Sequence, residues 1–290
     1  MDQGPGVSPA VRKESGLIKL ALFGWPIKSS LSPAIHRLFA GQFGLEIEYQ
    51  RFETGTDGFP GKLDDFRHAG GIGCNVTLPL KEDAWRLAGG ATTQANQAQA
   101  ANTLVFQPAS GWFAHNTDGA GLMADLTVNH AFELSSQRIL IIGAGGAAAG
   151  ILGDLLAGGT REIVLLNRSQ DRARALAERF STVGKITVVR WQDLPALGSF
   201  KLVINATSLG HHGEAPALTK SVFASGALCY DLNYHAASRS LRKLCEDMGQ
   251  DYIDGLGMLV EQAAKSFNIW TGYKPDSRVV IRTVGQAAQP

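Results

Sequence analysis

Residues 139–156 read ILIIGAGGAAAGILGDLL, and this stretch decides the fold. Ile139, Leu140, Ile141 and Ile142 make the apolar, largely β-branched run expected of a strand buried on both faces. Gly143, Ala144, Gly145, Gly146, Ala147 and Ala148 come next as G-x-G-x-x-A, and helix-forming residues continue the chain. In a dinucleotide site each small residue has a task. Gly143 permits the tight turn, Gly145 lets the backbone approach a pyrophosphate, and Ala148 lets the helix lie close to the strand. The helix start adds unbonded N–H groups and the positive end of its dipole. A second strand, Glu162 to Leu166, closes a βαβ unit and gives the glycines the context they need.

The residues just past that second strand select the cofactor. A site for NAD carries Asp or Glu about 20 residues beyond the glycines, accepting bonds from the ribose. Here Asn167, Arg168 and Ser169 stand in that place, with Arg172 one helical turn later. A carboxylate would repel a 2′-phosphate, whereas guanidinium groups bind one through charge-assisted hydrogen bonds. The residues point to NADP.

A chain of 290 residues implies about two domains. Hydrophobic content of 44% and charged content of 18% describe an ordinary globular protein. A net charge of +1 offers no field for nucleic acid, and the longest apolar run is interrupted by glycines and Asp154. Neither nucleic acid nor membrane is therefore expected as a partner. Cys74, Cys229 and Cys245 are odd in number and lack C-x-x-C spacing, which fits reduced thiols in a cytoplasmic protein. His211 and His212 are adjacent and lack a third ligand, so no metal site is expected. Residues 1–16 read as a flexible tail without the apolar core of a signal peptide.

Alternation of strands and helices gives the fold class as α/β in two domains. Lys19 to Phe23 reads as the first strand. Ser32 is the expected N-cap of the next helix, with Pro33 at its first position and Ile35, Leu38, Phe39 and Phe43 on its buried face. Strands at Ile47–Phe52 and Gly73–Thr77 flank a helix over Leu63–His68, and a hairpin comes next around Pro108 and Gly111. Asn116-Thr117-Asp118-Gly119 leads into a connecting helix. Beyond the glycine motif, strands at Ile186–Arg190, Leu202–Asn205 and Leu228–Asp231 extend a doubly wound parallel sheet, and Gly255 opens an amphipathic helix.

Taken in order, several blocks resemble the shikimate dehydrogenase family. They are Ser30-x-Ser32-Pro33, Asn75-Val76-Thr77-Leu78-Pro79-Leu80-Lys81, Ala101-Asn102-Thr103-Leu104 and Asn116-Thr117-Asp118-Gly119. After the glycine loop and Asn167-Arg168-Ser169 come Asn205-Ala206-Thr207-Ser208-x-Gly210, Tyr230-Asp231-Leu232 and the Gly-Leu-Gly-Met helix reaching Gln262. The resemblance implies reversible reduction of 3-dehydroshikimate to shikimate with NADPH, in aromatic amino acid biosynthesis. It implies Lys81 and Asp118 as the catalytic pair. Ser30 and Ser32 would bind the substrate carboxylate, with Thr77, Asn102, Tyr234 and Gln262 around the rest of the substrate. Gly143, Ala144, Gly145, Gly146 and Ala147 would hold the pyrophosphate, and Asn167, Arg168, Ser169 and Arg172 the 2′-phosphate end. Thr207, Ser208, Leu232, Gly255 and Met258 would lie by the nicotinamide.

The chemistry asks for these residue types independently. Hydride transfer to a ketone builds negative charge on its oxygen, and Lys81, oriented by Asp118, can stabilise that charge and deliver a proton. The domains implied are a substrate domain of residues 17–118 plus 255–290 and an NADP-binding Rossmann domain of 119–254, with the active site in the cleft. A monomer or homodimer is expected. A sibling acting on quinate with NAD, and a non-catalytic dinucleotide sensor, are the competing readings. Departures from the family pattern are Trp25, Ser29, Gln99 in place of a glycine, His211 in place of a methionine, and His235 where proline is expected after Tyr234.

Overall fold

The computed structural model of the chain describes residues 16–287. The tail read over residues 1–16 lies, except for Gly16, outside them. The chain forms two compact units, one running to Gly121 and resuming at Val260, the other spanning Leu122–Leu259.

The first unit is built on β1 (Ile18–Gly24), α1 (Ser32–Gly41), β2 (Ile47–Glu53), α2 (Phe59–His68), β3 (Gly73–Val76), α3 (Lys81–Leu87), β4 (Gly90–Ala91), α4 (Thr93–Ala98), β5 (Thr103–Gln107), β6 (Gly111–His115) and the start of α5 (Asp118–Ala124). Its sheet runs in the order β2-β1-β3-β5-β6-β4. β1 pairs parallel with β2 and β3, but β5 runs antiparallel to both β3 and β6. The β5–β6 reversal reflects their short connection, because a tight turn can only join antiparallel strands. Period-two alternation sends Ala21 and Phe23 to one face, with Phe59, Leu63 and Phe66 of α2 and Leu80 and Ala84 at α3. Leu20 and Val105 pack on the opposite face with Trp270.

The second unit contains β7 (Arg138–Ile142), α6 (Gly146–Ala157), β8 (Glu162–Leu166), α7 (Gln170–Arg179), β9 (Ile186–Val189), β10 (Phe200–Asn205), β11 (Phe223–Asp231), α8 (Arg239–Met248) and β12 (Asp251–Ile253). Its sheet is parallel throughout, in the order β12-β11-β10-β7-β8-β9. Counted from β7, that is the doubly wound order in which the strand sequence reverses beside the first strand, the place where such sheets bind ligands. Ile139, Leu140 and Ile141 are fully buried, as a strand covered on both faces requires. α9 (Leu256–Thr271) and α10 (Ser277–Ala287) end the described chain.

Two local expectations are corrected. Ser32 does not cap α1: it is the first helical residue, and its N–H instead donates to the Ser30 hydroxyl at 3.3 Å. Pro33 at the helix start leaves no N–H there for a cap to satisfy. Leu38 is 37% exposed, so the buried face of α1 is carried by Ile35, His36, Phe39 and Ala40. That face is shifted toward the i, i+4 row of His36 and Ala40, which the apolar pattern alone does not include.

Candidate active site

The first group of predicted residues converges through backbone turns. Thr77 leaves β3 with its N–H bonded to the Phe23 carbonyl at 2.9 Å, and Leu80 N–H closes a turn onto Thr77 O at 2.9 Å. Lys81 thereby becomes the first residue of α3, and its carbonyl accepts from Ala101 N–H at 2.8 Å. Asp118 begins α5, where a carboxylate would ordinarily serve the helix end. Here Asn116 Oδ1 takes the Asp118 N–H at 3.1 Å. The carboxylate turns instead to side chains. Lys81 Nζ donates to Asp118 Oδ2 at 2.5 Å, and the side chains are 17% and 7% exposed.

Asn102 holds the other oxygen of Asp118. Thr117 N–H donates to Asn102 Oδ1 at 2.9 Å, which fixes the amide's orientation because a backbone N–H can only donate. Asn102 Nδ2 therefore faces Asp118 Oδ1 at 2.8 Å and Gln262 Oε1, from α9, at 3.0 Å. Lys81 Nζ has no other hydrogen-bond partner among the described residues, so two of its N–H bonds can be offered to a ligand oxygen. An ammonium with spare donors, locked to a carboxylate and bordered by amides, is equipped to grip a hydroxylated or carbonyl compound and exchange a proton with it.

A second polar group adjoins the first. Ser30 Oγ and Ser32 Oγ lie 3.2 Å apart, and Arg51 donates to the Ser30 carbonyl at 2.7 Å. Tyr49 donates to Asn75 Oδ1 at 2.8 Å. Asn75 Nδ2 donates to the Asn102 carbonyl at 3.2 Å and meets Thr103 and Ser266 hydroxyls at 3.1 Å each. Tyr49 is thus joined to Asn102 through Asn75, and neither Tyr49 nor Asn75 carries a predicted role. Thr117 and Ser266 belong to the same network, since Ser266 donates to Gln262 O at 3.0 Å and Thr117 Oγ1 reaches that same carbonyl at 3.1 Å. A legible signal is their spacing: Thr117 adjoins Asp118, and Ser266 lies one helical turn beyond Gln262.

His36 completes this network and gives it a pH limit. Its Nε2 lies 3.1 Å from Asn75 Oδ1, an acceptor, so the proton is on Nε2 and the buried Nδ1 has no partner among the described residues. Burial lowers its pKa from 6.5 to about 3, against the opposing bond to Asn75. Between those values the unfolded chain binds a proton that the folded chain does not. Stability from this group is complete above pH 6.5 and declines as pH falls. A loss of about 2 kcal/mol between pH 7 and pH 5 is expected from His36. His115, lowered by burial to about 4, acts in the same direction. Denaturant titrations at both pH values check this, with His36→Gln showing a shallower dependence; equal wild-type stability at the two values would refute it.

The remaining predicted residues belong to the second unit. Gly143 has φ +115°, and a Cβ there would sit 2.7 Å from the Ala206 carbonyl, so only glycine allows this turn. Gly145 is the N-cap of α6, with no side-chain cap, no acid in the first turn and open space beside its Cα. The first N–H groups of α6, from Gly146 and Ala147 onward, remain available for an anion. Asn167 Nδ2 donates to Ser169 O at 2.8 Å, while Ser169 caps α7. Arg168 and Arg172 are exposed, and neither pairs with an acid among the described residues. These features fit a phosphorylated dinucleotide: an uncapped helix start for the pyrophosphate and unpaired guanidinium groups for a further phosphate. Thr207, Ser208, Leu232 and Gly255 lie on the loops that leave the carboxyl ends of β10, β11 and β12, and Met258 is buried in the first turn of α9. Tyr234, a predicted substrate contact, also belongs to this unit, where it packs edge-on against His235 at 5.2 Å.

Comparison with known proteins bears on what these groups serve. Three family descriptions match in succession: the shikimate dehydrogenase substrate binding domain over residues 22–104, shikimate / quinate 5-dehydrogenase over 125–222, and the shikimate 5′-dehydrogenase C-terminal domain over 255–284. A protein of Alkalilimnicola ehrlichii named shikimate dehydrogenase (NADP(+)) is 44% identical over 91% of this chain and 97% of its own. The chain belongs to the shikimate dehydrogenase family. Among solved structures, an Ael1 enzyme from Pseudomonas putida is 37% identical with a TM-score of 0.85, covering 94% of this chain and 99% of its own. A shikimate 5-dehydrogenase from Thermus thermophilus, in complex with NADP(H) and shikimate, is 30% identical with a TM-score of 0.80, over 93% and 99%.

Two departures from the family pattern acquire physical content. Gln99 closes α4 in the left-handed region, at φ +48°, which explains why glycine is the usual residue there. His235 sits at φ +55°, a value closed to proline, so the loop after Tyr234 takes a path that the expected proline could not. Among the described residues no group of three or more His, Cys, Asp or Glu is placed to hold a metal, and no helix is long and apolar enough to cross a membrane. Cys74, Cys229 and Cys245 are free and buried.

Proposed function

We propose that this member of the shikimate dehydrogenase family catalyses the reversible NADPH-dependent reduction of 3-dehydroshikimate to shikimate, a step toward aromatic amino acids. The observation that carries this reading is the Lys81–Asp118 pair at 2.5 Å, braced on its far oxygen by Asn102. Bound NADP supplies the hydride or takes it back. Lys81 Nζ and Asp118 Oδ2 hold a proton between them, deliver it to the carbonyl oxygen as that oxygen becomes an alkoxide, and recover it in the reverse direction. Lys81's spare N–H bonds stabilise the developing charge. Thr77, Asn102 and Gln262 receive the ring hydroxyls, and Ser30 and Ser32 receive the carboxylate, with Tyr234 as a further substrate contact.

Residues 17–118 with 255–290 form the substrate domain in this reading, and residues 119–254 the cofactor domain. Gly143 to Ala147 hold the pyrophosphate. Asn167, Arg168, Ser169 and Arg172 hold the phosphorylated ribose, and Thr207, Ser208, Leu232, Gly255 and Met258 the nicotinamide half. The buried reduced cysteines and the family's biosynthetic role support a cytoplasmic enzyme, working as a monomer or homodimer.

The test tracks reduced nicotinamide by absorbance with shikimate or quinate, each with NADP or NAD. Turnover highest with shikimate and NADP is expected. Preference for quinate with NAD, or NADP binding without turnover, would overturn the proposal.

A further inference from the structure

Asp231 carries no predicted role, yet its carboxylate is a hub of the second unit. It ends β11 directly beside Asn205, the last residue of β10, and is fully buried. Three donors converge on Oδ1: Asn205 Nδ2 at 2.9 Å, Asn233 N at 3.0 Å and Asn233 Nδ2 at 2.8 Å. The other oxygen faces the Tyr252 hydroxyl at 3.3 Å. Through these bonds the carboxylate reaches two loops. Asn205 Oδ1 accepts from Thr207 N–H at 3.1 Å and from Thr207 Oγ1 at 2.7 Å, which orients its amide toward Asp231. Asn233 Nδ2 also donates to the Thr207 carbonyl at 3.0 Å, and the Asn233 carbonyl accepts from Gly255 N–H at 2.9 Å.

We propose that Asp231 is a positioning residue for the nicotinamide half of the cofactor, a single acceptor that ties the 205–208 and 232–234 loops into one rigid shelf. This rests on the cofactor reading above. Thr207 and Leu232 present the shelf. Leu232 is held to β10 by its own N–H, which donates to the Asn205 carbonyl at 2.9 Å. The Thr207 side depends on the two amides that Asp231 orients. Acceptance rather than charge is what matters. An amide at 231 keeps an oxygen for the three donors, and its nitrogen can donate to Tyr252, whose hydroxyl can turn to the Ser238 carbonyl 3.2 Å away. Alanine removes the acceptor and leaves buried donors unpaired.

Equilibrium titration with two probes separates a positioning role from a general defect. NADP carries both halves of the cofactor; adenosine 2′,5′-bisphosphate carries only the end assigned to Arg168 and Arg172. In D231A the NADP dissociation constant is expected to rise about tenfold or more, with bisphosphate binding unchanged, and D231N is expected to restore NADP binding. N233A keeps the carboxylate, removes one donor side chain, and should shift NADP alone in the same direction; it decides the matter if D231A does not fold. Equal weakening of both probes, wild-type NADP binding in D231A or N233A, or a D231N as impaired as D231A would overturn the role. These titrations use no substrate, so failure of the parent chain to turn over shikimate would sink the proposed activity while leaving this comparison intact.

Discussion

Lys81→Ala lowers turnover of shikimate by about two to four orders of magnitude and leaves NADP binding unchanged, in the expected result. The magnitude reflects the loss of two functions at once: the proton exchanged with the reacting oxygen and the charge that stabilises the alkoxide. Cofactor binding is spared because every residue assigned to NADP lies beyond Gly121 in the chain. The variant also strands Asp118, a largely buried carboxylate that then retains only Asn102 and its place at the start of α5. Asp118→Asn provides the complementary measurement. It keeps the volume but removes the charge that holds Lys81, so turnover should again fall while shikimate still binds. Steady-state kinetics with separate NADP titrations check both variants. Survival of turnover in Lys81→Ala would remove this pair from the reaction.

The parallel unit is more legible in the sequence than the rest, and the reason is physical. β7 and β8 are short apolar runs buried on both faces, and the glycines between them tolerate few backbone paths, so local sequence and final structure agree. α3 and α4 are seven and six residues long, and their ends are set by turns onto Thr77 and Thr92. They are too short to show a helical period, so patterning does not reveal them. Ser32 resembles a cap for a related reason: a serine before proline is a good local signal, but Ser30 occupies the position from which a hydroxyl meets the first free N–H. At the candidate site, Lys81 and Asp118 stand out because each lies in a distinctive block. Asn75, Tyr49 and His36 contribute through long-range bonds, 39 residues apart for His36 and Asn75 and 191 for Asn75 and Ser266, and no spacing rule could join them. Asp231 illustrates the same limit, since only the pairing of β10 with β11 brings Asn205 to the carboxylate that Asn233 meets locally.

Removing the two guanidinium groups tests the choice of cofactor rather than the chemistry. In an Arg168→Ala, Arg172→Ala double variant, KM for NADPH is expected to rise about a hundredfold, with KM for NADH unchanged. Both side chains are exposed and unpaired among the described residues, so their loss neither breaks an internal ion pair nor opens a cavity. The effect therefore reports on a ligand. An exposed guanidinium–phosphate bond is screened by salt, so wild-type affinity for NADPH should weaken as ionic strength rises and the variant's less steeply. Acidification gives a second handle: a phosphate monoester loses part of its second charge below about pH 6, and the wild-type preference for NADPH over NADH should narrow there. Asn167 and the Ser169 cap are retained in the variant, which leaves α7 and the turn before it in place. A double variant that still favours NADPH as strongly as the parent would mean that another group reads the 2′-phosphate, and the assignment of this end of the site would fall.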